Sequence, residues 1–202
     1  MANLTIGVLA LQGAFAKHIE VLNKLGVTTR EVRRPEDLQE CDALVIPGGE
    51  STTILRQIKF IGLESPLRAF AAERPLFGTC AGLILISKEI VTPSTNVKHP
   101  MQPFCLIDVS VERNAFGRQA ESFQCPIEMH LDNSSKPQNF PALFIRAPRI
   151  RHCGKEVEVL AKYEGEPILV RQGFHLGATF HPELTSDHAV HLYFLRIVKQ
   201  RS

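Results

Sequence analysis

The sequence predicts a three-layer α/β fold: a mostly parallel central sheet flanked by helices and extended by added antiparallel strands. Three observations predict it. Short, almost continuous apolar runs alternate with amphipathic stretches from Leu4 to about Ile86, which is the rhythm of buried parallel strands joined by right-handed helical crossovers. Glycine-rich breaks, Pro47-Gly48-Gly49 and Gly78-Thr79-Cys80-Ala81-Gly82, fall where strand should pass to helix. After Lys88 the pattern changes to short segments with alternating faces, separated by Pro-containing polar loops, as expected for antiparallel strands.

Taken in order, Leu4–Ala10 reads as a buried strand and Ala14–Leu25 as a helix with Phe15, Ile19, Leu22 and Leu25 facing inward, stopped at Gly26. Val27–Val32 is a second strand, Pro35–Leu38 opens a short helix, and Ala43–Ile46 is a third strand. Ser51 or Thr52 is expected to cap a helix running to about Lys59. A further helical piece near Pro66–Glu73 precedes the Leu76-Phe77 strand, and Leu83–Ile86 reads as buried helix. Val91–Pro103 and Asp132–Pro141 read as exposed loops. Leu106–Glu112, Phe123–His130, Ala142–Arg146, Glu156–Tyr163, Ile168–Arg171 and Phe174–Phe180 read as strands. Ser186 or Asp187 should cap a last helix that buries Val190, Phe194, Ile197 and Val198.

A chain of 202 residues with 44% hydrophobic and 22% charged residues fits one globular domain spanning 1–202. The net charge of +2 gives no electrostatic case for nucleic acid or an acidic membrane surface. Five cysteines, odd in number and without a C-x-x-C pair, suit a reducing compartment. No basic leader and no apolar run of about 18–20 residues is present, so no membrane association and a cytoplasmic location are expected.

Gly78-Thr79-Cys80-Ala81-Gly82 has the spacing of a nucleophile elbow, in which a sharp strand-to-helix turn presents one side chain above the sheet. The helix N-terminus after it favours a nucleophilic thiolate. A small buried Cys in a Gly-flanked turn is the alternative. A Cys nucleophile needs a base, and the base needs an orienting group. His181 follows directly on a strand in Phe180-His181-Pro182-Glu183, with Glu183 two residues on to hold the imidazole in one tautomer. His175, His188 and His191 are expected to be structural. The backbone N–H groups of Gly49, in Pro47-Gly48-Gly49-Glu50-Ser51-Thr52, and of Ala81 are candidates for an oxyanion hole. Arg113 and Arg146, each at or just after a strand end, are of the type that grips the carboxylate of an amino-acid substrate, although spacing alone favours solvated surface arginines. Cys125, His130, His152 and Cys153 fit no zinc spacing.

These three motifs together resemble the class I, triad-type glutamine amidotransferases, which have a flavodoxin-like sheet. Adding Gly7-Val8-Leu9-Ala10-Leu11-Gln12-Gly13, Arg113-Asn114-Ala115-Phe116-Gly117-Arg118-Gln119 and Phe144-Ile145-Arg146-Ala147-Pro148 makes the chain most similar to the glutaminase subunits of pyridoxal 5′-phosphate synthase. That resemblance implies hydrolysis of L-glutamine to L-glutamate and ammonia, without a cofactor or metal. The ammonia would pass to a separate (β/α)-barrel synthase subunit within a large hetero-oligomer. It implies Cys80 as nucleophile, His181 as base and Glu183 as its carboxylate, with Gly49, Glu50, Ser51, Arg113, Ile145 and Arg146 around glutamine and Gln12 near the subunit interface. A sister amidotransferase and a catalytically silent subunit or binding module are the competing expectations. One departure stands out: Cys105 occupies a position where the family commonly has glycine.

Overall fold

A computed structural model describes residues 4–91, 101–113, 122–131 and 136–201. The first half follows the expected rhythm. Strand β1 (Thr5–Leu9), helix α1 (Phe15–Lys24), strand β2 (Thr28–Val32), a 3₁₀ turn at Pro35–Glu40 and strand β3 (Ala43–Ile46) are followed by helices α2 (Ser51–Phe60) and α3 (Glu64–Glu73), strand β4 (Leu76–Thr79) and helix α4 (Ala81–Ile86). Beyond it come β5 (Ser87–Val91), β6 (Ile107–Glu112), β7 (Phe123–Met129), β8 (Gln138–Phe144), β9 (Arg149–Cys153), β10 (Glu158–Tyr163), β11 (Glu166–Gln172) and β12 (His175–Ala178). A 3₁₀ turn at Pro182–Leu184 and helix α5 (Ala189–Arg201) complete the order.

The main sheet has nine strands in the order β2-β1-β3-β4-β12-β11-β10-β7-β8. The pairs from β2 through β12 are parallel, and those from β12 through β8 are antiparallel. Alternation along each strand splits the core between two faces. Ala43, Val45 and Phe77 pack with Leu22 of α1 and Val190, Phe194 and Ile197 of α5. Leu44, Ile46 and Leu76 pack with Ile54 of α2, Leu67 of α3 and Leu83 of α4. This is the three-layer arrangement that the sequence predicts, with the parallel half covered on both faces.

The structure differs from the sequence reading in several places. A second sheet of three strands, β5-β6-β9, packs into the α2–α4 side of the core. Neither β5 nor β9 is anticipated by the sequence, because each buries little. Within β5 only Ser87 and Ile90 are buried, and within β9 only Ile150 is. Met101 and Pro103, at the end of the stretch read as an exposed loop, are buried, as is the adjoining Phe104, whose N–H is bonded to the Leu85 carbonyl at 2.7 Å. Strand β8 begins inside the segment read as the loop Asp132–Pro141. Neither Ser51 nor Thr52 caps α2: Glu50 holds the cap position and Ser51 is the first helical residue. In α1 the fully inward residues are His18, Val21 and Leu22, whereas Phe15, Ile19 and Leu25 are only partly buried. The Asp187 carboxylate accepts from Ala189 N–H, at the first residue of α5, at 2.8 Å, while His188 holds the position just before the helix.

Cys105 has φ +59°, the left-handed region where glycine is unstrained. A glycine at this position would be free of that strain, and the Cys105 Sγ lies 3.3 Å from the Lys88 carbonyl. No helix among the described residues is long and apolar enough to cross a membrane.

One buried histidine gives the fold a pH dependence. His175 Nδ1 accepts from Leu76 N–H at 3.2 Å, tying β12 to the start of β4. Burial pulls its pKa from 6.5 down to about 4. The unfolded chain therefore binds an extra proton between these values, and stability falls as pH drops from 6.5 toward 4. The full effect is on the order of 3 kcal/mol. The thermal midpoint of His175→Gln should fall less between pH 7 and pH 4.5 than that of the wild type; equal falls would contradict this account.

Candidate active site

The strand order sets the site. Strands β3, β4 and β12 are adjacent and parallel, so the chain leaving each one emerges at the same edge of the sheet. Those exits are Pro47-Gly48-Gly49, Cys80 and the segment leading to His181.

Cys80 has φ +48° and ψ −103°, the strained conformation expected of an elbow. A side chain at Gly78 would meet the Gly82 carbonyl carbon at 2.6 Å, and one at Gly82 would meet the Ile46 carbonyl oxygen at 2.0 Å. Both glycines are therefore required for β4, α4 and β3 to approach this closely. Cys80 N–H donates to the Ala178 carbonyl at 2.8 Å, and Cys80 is 7% exposed at the floor of a cleft. Ala81 is the first residue of α4, so its N–H is one of the first-turn donors that no helical carbonyl satisfies.

His181 lies against Gly48, whose Cα approaches so near that an added Cβ would sit 2.3 Å from the imidazole Cε1. Its backbone N–H is held by the Leu143 carbonyl at 2.8 Å, which ties the segment after β12 to β8. His181 Nδ1 is 2.7 Å from Glu183 Oε1, and Glu183 is 3% exposed. Burial alone would lower the pKa of His181, but hydrogen bonds and charge from Cys80 and Glu183 prevail and raise it to about 10. Burial would likewise raise Glu183, yet electrostatic attraction to the His18 ring and the hydrogen bond and charge of His181 bring it down to about 2. The arrangement is a buried carboxylate supporting an imidazolium beside a thiol.

The loop after β3 is pinned on both sides. The Gly48 carbonyl accepts from Ala14 N–H at 3.1 Å, and Glu50 N–H donates to Gln12 Oε1 at 2.8 Å. The cleft, of about 220 Å³, is lined by Gly49, Glu50, Ser51, Cys80, Arg113, Ile145, Arg146 and His181 among others. Arg146, with φ +45°, places its guanidinium 3.9 Å from Glu50 Oε1 across the opening. The Ile145 carbonyl lies 3.9 Å from Cys80 Sγ. Every candidate residue named from the sequence thus lies in the cleft or directly against it, with Glu183 behind His181 and Gln12 behind the Gly49 loop. Asn114–Gln119 of the arginine motif lies outside the described residues. Cys125, His130, His152 and Cys153 form no metal cluster among the described residues.

The sequence reading missed His18, which is fully buried with Nε2 3.4 Å from Glu183 Oε2. The available signal was a histidine one turn before Leu22, on the inward face of a helix.

A nucleophile dependent on this imidazolium should respond to a methyl group on the glycine against it. Gly48→Ala should slow alkylation of Cys80 by iodoacetamide at pH 7 on the order of tenfold while the far-UV circular dichroism stays unchanged. An unaltered alkylation rate would contradict the coupling.

Comparisons with known proteins show the family and the fold. The model of the SNO glutamine amidotransferase family matches residues 8–200. A pyridoxal 5′-phosphate synthase subunit PdxT from Thermosipho africanus (strain TCF52B) is 48% identical over 198 residues, covering 98% of this chain and 100% of the relative. The subunit of the same name from Geobacillus sp. (strain WCH70) is 46% identical, covering 98% of each chain. A crystal structure described as a glutamine amidotransferase superposes with a TM-score of 0.85 at 45% identity, covering 96% of this chain and 98% of that one. A putative GMP synthase subunit from Thermoplasma acidophilum, at 17% identity and a TM-score of 0.70, covers 99% of this chain and 96% of its own and shares the fold. With the family model matching nearly the whole chain and relatives this similar along its length, the chain belongs to the SNO glutamine amidotransferase family.

Proposed function

We propose that the protein is a glutaminase that hydrolyses L-glutamine to L-glutamate and ammonia through a Cys80–His181–Glu183 triad. The observation that carries this reading is the coupled geometry at the sheet edge: a strained Cys80 on the cleft floor beside His181, itself held by a buried Glu183 at 2.7 Å. The family match and the geometry support it together.

In the reaction, the Cys80 thiolate attacks the side-chain amide carbon of glutamine. The tetrahedral oxygen takes hydrogen bonds from the N–H groups of Gly49 and Ala81. His181, already protonated, gives its proton to the departing nitrogen, and ammonia leaves as the γ-glutamyl thioester forms. Water then attacks the thioester, with His181 taking a proton, and glutamate and the thiolate are released. Glu183 keeps the imidazole oriented and stabilises its positive form throughout. No step requires a cofactor.

The cleft suits a free amino acid because its rim carries both charges. Glu50 matches the ammonium group, while Arg113 and Arg146 match the α-carboxylate. Ser51 and Ile145 flank the side chain, and the Gly49 loop orients its amide. The chain acts as one amidotransferase domain across residues 1–202, in the cytoplasm. Its partner is the (β/α)-barrel subunit of pyridoxal 5′-phosphate synthase, which receives the ammonia within a hetero-oligomer. The names of the relatives support that assignment, and Gln12, beside the cleft, belongs to the docking side.

The test is ammonia release from glutamine with and without a synthase subunit. Wild-type protein with the synthase should turn over, and Cys80→Ala should lose at least about 10⁴-fold in kcat. Turnover undiminished in Cys80→Ala would overturn the assignment.

A further inference from the structure

Glu183 has two oxygens, and the triad accounts for one. Oε1 meets His181 Nδ1 at 2.7 Å, whereas Oε2, equally buried, accepts no hydrogen bond. What faces it is His18 Nε2 at 3.4 Å, with both side chains fully inaccessible to solvent. The same Nε2 lies 3.2 Å from Thr79 Oγ1, the residue before Cys80, and His18 Nδ1 lies 3.0 Å from His191 Nε2 on α5. The Phe77 ring stands edge-on to His18, with the ring centroids 6.2 Å apart.

This enclosure fixes the tautomer. Burial holds both His18 and His191 below the ordinary histidine pKa, so each ring is neutral and carries one N–H. If the bare nitrogen of His18 were Nε2, its lone pair would face an ionised carboxylate with no water between them, a costly contact in a buried site. With the proton on Nε2, the N–H donates to Thr79 Oγ1 at 3.2 Å with Glu183 Oε2 3.4 Å from the same nitrogen, and Nδ1 accepts from His191 Nε2–H. His191 Nδ1, which has no hydrogen-bond partner, is then a bare acceptor. The titratable groups around His18 are Glu183, His181 and His191, with His188 beyond His191.

We propose that His18 is a positioning residue for the triad, holding the second oxygen of Glu183 by electrostatic attraction to its Nε2–H while His191 locks its tautomer. It touches no substrate and transfers no proton. It acts by stopping the carboxylate from turning away from His181, so that the imidazolium beside Cys80 keeps its support. This inference rests on the triad reading above.

The test compares His18→Gln with His18→Asn and His18→Leu in the full chain, assayed for glutamine hydrolysis with the synthase present. The Gln amide reaches the position of Nε2, whereas the Asn amide reaches only as far as Nδ1. His18→Asn and His18→Leu should lose on the order of 10- to 100-fold in kcat, as removal of an orienting partner typically does. KM for glutamine should stay within about twofold. The acid limb of kcat/KM should move to higher pH in both variants, because the imidazolium–thiolate pair is less well supported. His18→Gln should retain most of the wild-type kcat and the wild-type acid limb. If His18→Leu does not fold, as its thermal midpoint would reveal, the Gln–Asn comparison decides. Wild-type kcat and pH profile in His18→Asn, or an equal loss in His18→Gln and His18→Asn, would overturn the proposal. Cys80→Ala in the same assay separates the two readings: if it stays active the triad itself fails, and if it is dead while Gln and Asn behave alike only the role of His18 fails.

Discussion

The site depends on one close approach, that of Gly78 and Gly82 to each other and to the Ile46 carbonyl, which leaves no room for a Cβ at either glycine. It forces the chain to turn from β4 into α4 within one residue, and that residue is Cys80 at φ +48°. A non-glycine residue in so sparsely populated a conformation costs roughly 1–3 kcal/mol. The surroundings offset that cost. Cys80 N–H donates to Ala178, Ile84 N–H donates to the Cys80 carbonyl, and β4 is paired on both sides in the main sheet. Because β3 and β12 are those two neighbours, the glycine loop and the His181 segment are brought to the thiol by the same pairing that holds the strain.

Electrostatics explains why the pieces behave as a unit. An ionised carboxylate as buried as Glu183 is costly unless it is matched, and the match is the raised pKa of His181. Removing one partner leaves an uncompensated charge inside the protein, so Glu183 and His181 stabilise or destabilise it together. Cys41 offers the contrast. It is equally enclosed and bonded to the Asp37 carbonyl at 3.2 Å, and burial pushes its thiol up to about 11, which makes it an inert core residue. Residue type alone does not separate Cys41 from Cys80; the turn and the imidazole do.

Legibility in the sequence followed the strength of the local signal. The parallel half is readable because Ala43–Ile46 and Leu76–Phe77 are apolar on both faces and end in glycine punctuation, and Cys80 and His181 stand out as candidates because each follows a strand, with Glu183 two residues beyond His181. The β5-β6-β9 sheet was not, since β5 and β9 show only one or two buried side chains each, too few for a period to emerge. The helix α1 stripe was misplaced by a fraction of a turn because a histidine on the inward face does not count as apolar. Yet His18 is more buried than Phe15 or Ile19. Its value is set by Glu183, more than 160 positions away in the chain, and no local pattern carries that.

The floor and the rim of the cleft are built to different standards. Cys80, His181 and Glu183 are all under 10% exposed and fixed by backbone bonds, glycine contacts and one another. The Glu50–Arg146 pair at the opening is more than half exposed on both sides and 3.9 Å apart, a contact worth about 0–1 kcal/mol. In the proposed reaction this difference is useful. A zwitterionic substrate replaces the pair by giving each charge a new partner, so little is lost when Glu50 and Arg146 separate. The reacting groups beneath need no comparable rearrangement. Binding is therefore left to groups that are free to adjust, and orientation to groups that are not.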